Sequence, residues 1–220
     1  MCNLYSMTKP REAVLRLFRV GHNRATMFEP KDAIFPGHRA PVVRRAEDGE
    51  RELVELSWGF VLLREGYAPK RVTNARDDKL LTRFWRTSFK GRRCLVPATA
   101  FCEPHDDRKP ATWHWFALKG DEPRPLFAFA CLWQRWNGPI KRDGPSVELD
   151  VYSFVTTLPN DLASSINHER SPVLLSNETE METWLSGSTA LAGKLIGPTS
   201  ADRMRIVQEG FEKRDLLNAA

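Results

Sequence analysis

Cys2 becomes a free 1,2-aminothiol once Met1 is removed, with an α-amine and a thiol on adjacent carbons. An α-amine titrates near pH ~8, so a useful fraction is neutral at physiological pH and can attack an aldehyde. The neighbouring thiol then closes the resulting imine into a thiazolidine ring. The same residue type also serves N-terminal-nucleophile hydrolases, where the thiol attacks an amide and the amine acts as base. That use needs an oxyanion hole and usually a four-layer αββα sandwich. A cysteine behind an initiator is in most chains an ordinary small residue, so the other polar positions decide between these readings.

The elements that must position Cys2 follow from composition and periodicity. With 220 residues and 41% hydrophobic side chains, the chain suits one domain spanning 1–220. A formal charge of +5 and a pI near 9.2 allow nucleic acid without demanding it. Cys2, Cys94, Cys102 and Cys131 lack CxxC spacing, so reduced thiols are expected, with no zinc site and no disulfide framework. No cofactor or metal is implied. The absence of a signal-like N-terminus or a long apolar run predicts a cytoplasmic protein, associated with the nucleoid when bound to DNA.

Lys9–Val20 has the spacing of an amphipathic helix, and Met1–Tyr5 ahead of it is extended in character. Leu53–Leu63 reads as two strands meeting at Gly59, followed by a flexible basic connection at Tyr67–Arg71. Leu80, Leu81, Phe84, Trp85 and Phe89 recur at helical spacing and predict a helix over Ala75–Phe89, which would make Asn74 its cap. Strands are expected at Arg93–Pro97, Ala100–Glu103, Trp113–Leu118, Phe127–Trp133 and Val151–Thr156. A short helix after Pro159, a strand at Pro172–Leu175 and a helix capped by Asn177 complete the pattern, and Phe211–Ala220 reads as a frayed polar tail. The fold class is therefore α+β, one domain around an antiparallel, barrel-like β core with peripheral helices.

Met1-Cys2, Trp58-Gly59, Asn74-Ala75-Arg76, Arg93-Cys94-Leu95-Val96-Pro97, Glu103 and His168-Glu169-Arg170-Ser171-Pro172 occur in an order that resembles the SOS response-associated peptidase (SRAP) family, over about residues 1–206. The resemblance implies loss of Met1, self-catalysed as a peptidase step, and a covalent DNA–protein crosslink. In that crosslink Cys2 is bound to the ring-opened aldehyde of an abasic site in single-stranded DNA. It further implies a catalytic set of Cys2, Asn74, Glu103 and His168, and DNA contacts at Arg76, Arg170 and the rim residue Pro36. Abasic-lyase cleavage is the accompanying activity that the resemblance suggests, and a monomer is expected.

Chemistry agrees with these roles. A closed abasic sugar needs an acid at its ring oxygen before the aldehyde forms, a role that an imidazole such as that of His168 can fill. Glu103 can take the amine's proton, and Asn74 can hold the sugar or the terminus by hydrogen bonds. Arg86, Lys90, Arg92 and Arg93 add positive charge that reads equally well as a solvated face, while His38, His105 and His114 read as surface or turn residues. The chain departs from the family pattern at Leu4, where an arginine is usual, at Pro104 in place of tryptophan, at Ser171 in place of methionine, and after Gly59. A non-covalent binder of single-stranded lesions is the competing reading from another class.

Overall fold

Alternating aromatic and aliphatic residues build the two longest strands, Phe127–Pro139 and Ser146–Thr157, paired antiparallel from Cys131↔Phe154 to Pro139↔Ser146. The computed structural model describes residues 2–26, 28–105, 109–122 and 124–216. Arg93–Ala98 pairs with the other edge of Phe127–Pro139, Arg39–Arg45 follows it, and Arg51–Trp58 pairs with Arg39–Arg45. Val151↔Ser57 and Tyr152↔Trp58 then close the five strands into a barrel through one parallel seam. Closure removes the exposed edges that an open sheet of this size would present. The expected barrel-like core in a mixed α and β fold is thus present.

A second sheet runs Lys31–Ile34, Tyr5–Met7, Ala100–Pro104, Trp113–Leu118 and Met204–Gly210. The chain crosses from barrel to second sheet at Thr99, fully buried, whose N–H donates to Ser6 O at 2.9 Å. This crossing sets the Ala100–Pro104 strand, and Glu103 on it, against the first strand. Between the sheets lie Tyr5, Trp58, Phe129 and Phe154, with Tyr5 within 5.2, 5.6 and 5.4 Å of the other three ring centroids. The buried Tyr5 and Tyr152 hydroxyls satisfy one another at 2.8 Å.

The helices Arg11–Leu17, Arg86–Gly91, Asp161–Ser164, Glu178–Ser186 and Thr189–Lys194 lie around this core. Asn177 caps Glu178–Ser186 by accepting from Glu180 N at 2.9 Å, and Trp184 Nε1 pins that helix to the barrel at Cys94 O and Cys131 O. Gly59 ends the Arg51–Trp58 strand with φ +111°, where an added Cβ would meet Arg71 Cβ at 3.0 Å. No helix among the described residues is long and apolar enough to cross a membrane.

Several expectations are corrected. The helix over Ala75–Phe89 is instead the strand Asn74–Arg76, a 3-10 turn at Asp77–Lys79, turns over 80–85, and the helix Arg86–Gly91. Parallel pairing with Phe154, Val155 and Thr156 takes the backbone of Asn74–Arg76, so tertiary pairing overrides helical spacing. Asn74 is therefore no helix cap. The first helix is shorter than Lys9–Val20, and Lys70–Val72 is a strand paired with Phe60–Leu62 rather than a flexible connection.

His114 is buried opposite Glu103, not at the surface. The tail is docked through residue 216: buried Asp215 pairs with Arg124 at 2.8 Å and accepts from Ser6 Oγ at 2.6 Å, while residues 217–220 lie outside the described residues.

Arg93 is also no part of a solvated face. Its guanidinium is buried and donates to the carbonyls of Trp184, Phe89 and Gly187. Arg93→Met removes the donors while leaving the carbonyls buried, and is expected to lower the unfolding free energy by about 2 kcal/mol. The urea midpoint at unchanged m value reads this directly. An unshifted midpoint would mean that the three carbonyls are satisfied without Arg93.

Candidate active site at the first residues of the chain

Pairing of Tyr5 with Phe101, and the Cys102 N to Leu4 O bond of 2.9 Å, run the start of the chain antiparallel to the strand that ends in Glu103 and Pro104. Cys2 thus lies against the Glu103 end of that strand, on the other side from Ile34, the second partner of Tyr5. Cys2 is buried and its Sγ donates to Leu4 O at 3.6 Å. Burial pushes the Cys2 thiol well above its ordinary range, and the nearby Glu103 carboxylate pushes it further. The thiol is held protonated at neutral pH.

Asn74 reaches Cys2 because parallel pairing sets it level with Phe154 on the barrel rim. Its Nδ2 donates to Cys2 O at 2.8 Å and to Thr73 Oγ1 at 2.8 Å, and Thr73 Oγ1 in turn donates to Asn3 Oδ1 at 2.8 Å. Sequence reasoning missed Thr73, whose only signal was its place beside Asn74. Asn74 Oδ1 is buried with no hydrogen-bond partner among the described residues. A buried amide oxygen of this kind is costly to leave unpaired and is well suited to accept from a donor at the chain terminus or on a sugar.

His168 follows the Asp161–Ser164 helix, after Asn167 takes the left-handed conformation at φ 57°. Its Nε2 lies 3.0 Å from Glu103 Oε2, with both residues buried. The structure therefore brings Cys2, Asn74, Glu103 and His168 to one corner, where a proton can pass between a carboxyl and an imidazole beside Cys2. Among the described residues, no group of three or more His, Cys, Asp or Glu could hold a metal ion.

The arginines nominated for phosphate flank this corner in a paired state. Arg76 makes a two-point contact with Asp78, Nε to Oδ1 at 2.9 Å and Nη2 to Oδ2 at 3.1 Å. Arg170 Nη2 donates to Asp77 Oδ1 at 2.7 Å and to Thr156 O at 2.6 Å. Pro36 sits exposed in the turn after Lys31–Ile34 that bends past the first strand on its Cys2 side, with Gly37 at φ +87° and His38 N donating to Phe35 O. Pro36 thus borders the start of the chain without forming part of the buried set.

Comparison with known proteins follows the same outline. Two relatives named abasic site processing protein YoqW, from Bacillus subtilis (strain 168) and from Bacillus phage SPbeta, are each 28% identical over 231 residues, covering 100% of this chain and 95% of the relative. A crystal structure of a Bacteroides thetaiotaomicron protein superimposes with a TM-score of 0.71 at 22% identity, covering 93% of this chain and 90% of its own. One from Bordetella bronchiseptica gives 0.72 at 21% identity, covering 95% and 98%. These two share the fold. A family model described as SOS response associated peptidase (SRAP) matches residues 1–209, nearly the whole chain, and the protein belongs to that family.

Proposed function

We infer that this protein processes abasic sites in single-stranded DNA, and that Cys2, freed by loss of Met1, forms a thiazolidine with the lesion. The observation that carries the reading is the meeting of Asn74, bonded to Cys2 O, with the buried His168–Glu103 pair beside the same residue. The name of the YoqW relatives supports the substrate class.

His168 protonates the ring oxygen as the C1–O bond breaks, and the C1 hydroxyl gives its proton back to the imidazole as the aldehyde forms. The neutral amine of Cys2 adds to C1. Glu103 carries the two amine protons in turn to the former aldehyde oxygen, first forming the hydroxyl and then expelling it as water to leave the imine. The thiol then adds to C1 of the imine as its proton passes to nitrogen, giving a ring with one molecule of water lost overall. Asn74 holds the terminus during these steps, its free Oδ1 being suited to accept from the amine. Because the thiol is held protonated, amine-first attack is favoured over the thiolate-first route of a cysteine hydrolase. Removal of Met1 by the protein itself, and strand cleavage by elimination from the imine, would use the same groups.

The test is incubation with a single-stranded oligonucleotide bearing one abasic site, followed by denaturing electrophoresis and intact mass. The expected species is protein without Met1 plus oligonucleotide less one water. Complete separation of protein and DNA on denaturation would overturn the reading in favour of a non-covalent binder.

In an Asp78→Asn background, which frees its guanidinium, Arg76→Ala is expected to weaken binding to damaged and undamaged strands alike, and to flatten the dependence of affinity on salt. Unchanged affinity across a salt series would remove Arg76 from the DNA contact.

A further inference from the structure

Beside the candidate active site lies a groove of about 660 Å³ lined by Arg76, Asp77, Asp78, Leu81, Leu158 and Arg170. Leu81 and Leu158 are 70% and 63% exposed, so the groove is open to a strand. Both of its arginines already hold a carboxylate: Arg76 grips Asp78 in the two-point fork that a phosphate would take, and Arg170 holds Asp77 Oδ1 through Nη2. Asp77 is fixed further by Thr157 Oγ1 at 2.8 Å. Arg170 Nε is buried and has no partner among the described residues, which leaves one donor of the fork open for a second oxygen.

We propose that Asp77 and Asp78 are specificity-determining residues that act as internal phosphate surrogates on Arg170 and Arg76, keeping non-covalent binding of intact strands weak so that retention depends on capture of the lesion. The inference rests on the DNA reading of the same site. A phosphate that reaches Arg170 or Arg76 exchanges for a carboxylate instead of meeting a free cation. The freed carboxylate then takes up a counterion as the DNA loses one, so these contacts add little net ion release and little affinity. The two pairs differ in hold. Arg76 and Asp78 are half-exposed and exchange readily, whereas the mostly buried Arg170 is tied to Asp77 and to Thr156 O.

The test measures equilibrium binding of an intact single-stranded oligonucleotide, with no abasic site, over a salt series for wild type, Asp77→Asn, Asp78→Asn and the double variant. Asp143→Asn, an equal charge change in the exposed turn of the long hairpin, is the control. The last pair of that hairpin, Pro139↔Ser146, is eight residues from the Cys131↔Phe154 pair, roughly 26 Å at ~3.3 Å per residue, and Asp143 lies beyond it in the turn.

Each groove variant is expected to bind intact strands about fivefold tighter than wild type. Its slope of log affinity against log salt should steepen by roughly 0.7 per contact released. The Asp143→Asn slope should match wild type. Slopes in Asp77→Asn and Asp78→Asn that equal the wild-type slope, or tightening matched by Asp143→Asn, would overturn the proposal. Thermal unfolding of each variant guards against misfolding, and the exposed Asp78 keeps the test decisive if Asp77→Asn is unstable. Crosslinking to an abasic oligonucleotide is measured in parallel: no crosslink in wild type overturns the parent reading, whereas normal crosslinking with unchanged slopes overturns only the surrogate role.

Discussion

Cys2→Ala is expected to abolish the stable adduct with abasic DNA while leaving the fold and reversible strand binding in place. The substitution removes one sulfur from a buried position, a loss of about 1 kcal/mol on the scale of small core truncations, and the Asn74 bond to the residue 2 carbonyl does not involve the side chain. An imine formed by the remaining amine hydrolyses, so nothing survives denaturation. An uncleavable extension before Cys2 is expected to abolish the adduct equally, although the thiol is intact, because the amine is then an amide. Together the two variants separate a thiazolidine from simple thiol addition. A stable adduct on either variant by intact mass, or full crosslinking by protein that retains Met1, would defeat the mechanism.

His168→Ala is expected to slow crosslinking to natural abasic DNA by about 100-fold, the usual contribution of a positioned proton donor. The loss falls on ring opening. A substrate that presents a free aldehyde without a closed sugar should therefore react with His168→Ala at close to the wild-type rate. Glu103→Gln keeps the shape of the pair but removes the acceptor of the amine's proton, and is expected to slow both substrates. Equal loss on both substrates for His168→Ala would move its role from ring opening to a later step, and no loss on either would make the His168–Glu103 contact a structural one.

The strands were legible because alternation is local: Trp113–Leu118 is found at the bounds that composition predicts, and Arg93–Ala98 and Ala100–Pro104 within a residue or so. The segment after Asn74 was not. Leu80, Trp85 and Phe89 do bury, but Leu81 between them is exposed, and the chain reaches those contacts through turns after its first three residues are claimed by pairing with Phe154–Thr156. Periodicity cannot register a partner strand some eighty residues away.

The same limit hid what Asn74 bonds to, and it hid the partners of Arg76 and Arg170. Asp77 and Asp78 were visible as charges, but their engagement with those guanidinium groups depends on a turn that spacing had assigned to a helix. Arg93 was misjudged for a related reason, since two of its three acceptors, the carbonyls of Trp184 and Gly187, lie more than ninety residues later. Cys2, Glu103 and His168 were nominated by chemical type and order, neither of which depends on knowing what each side chain touches.

The order in which the corner is built has a consequence for synthesis. Cys2 leaves the ribosome well before its partners: its strand pairs with Ala100–Pro104, its anchor Asn74 is held by Phe154, and the imidazole beside Glu103 belongs to residue 168. Long-range pairings of this kind form only after their distant partners have been made. An emerging chain therefore exposes an ordinary cysteine with no acid, no carboxylate and no anchor around it. On the proposed mechanism, Cys2 is armed only after residue 168 has been made, so that an aldehyde meeting a shorter nascent chain finds no assembled trap.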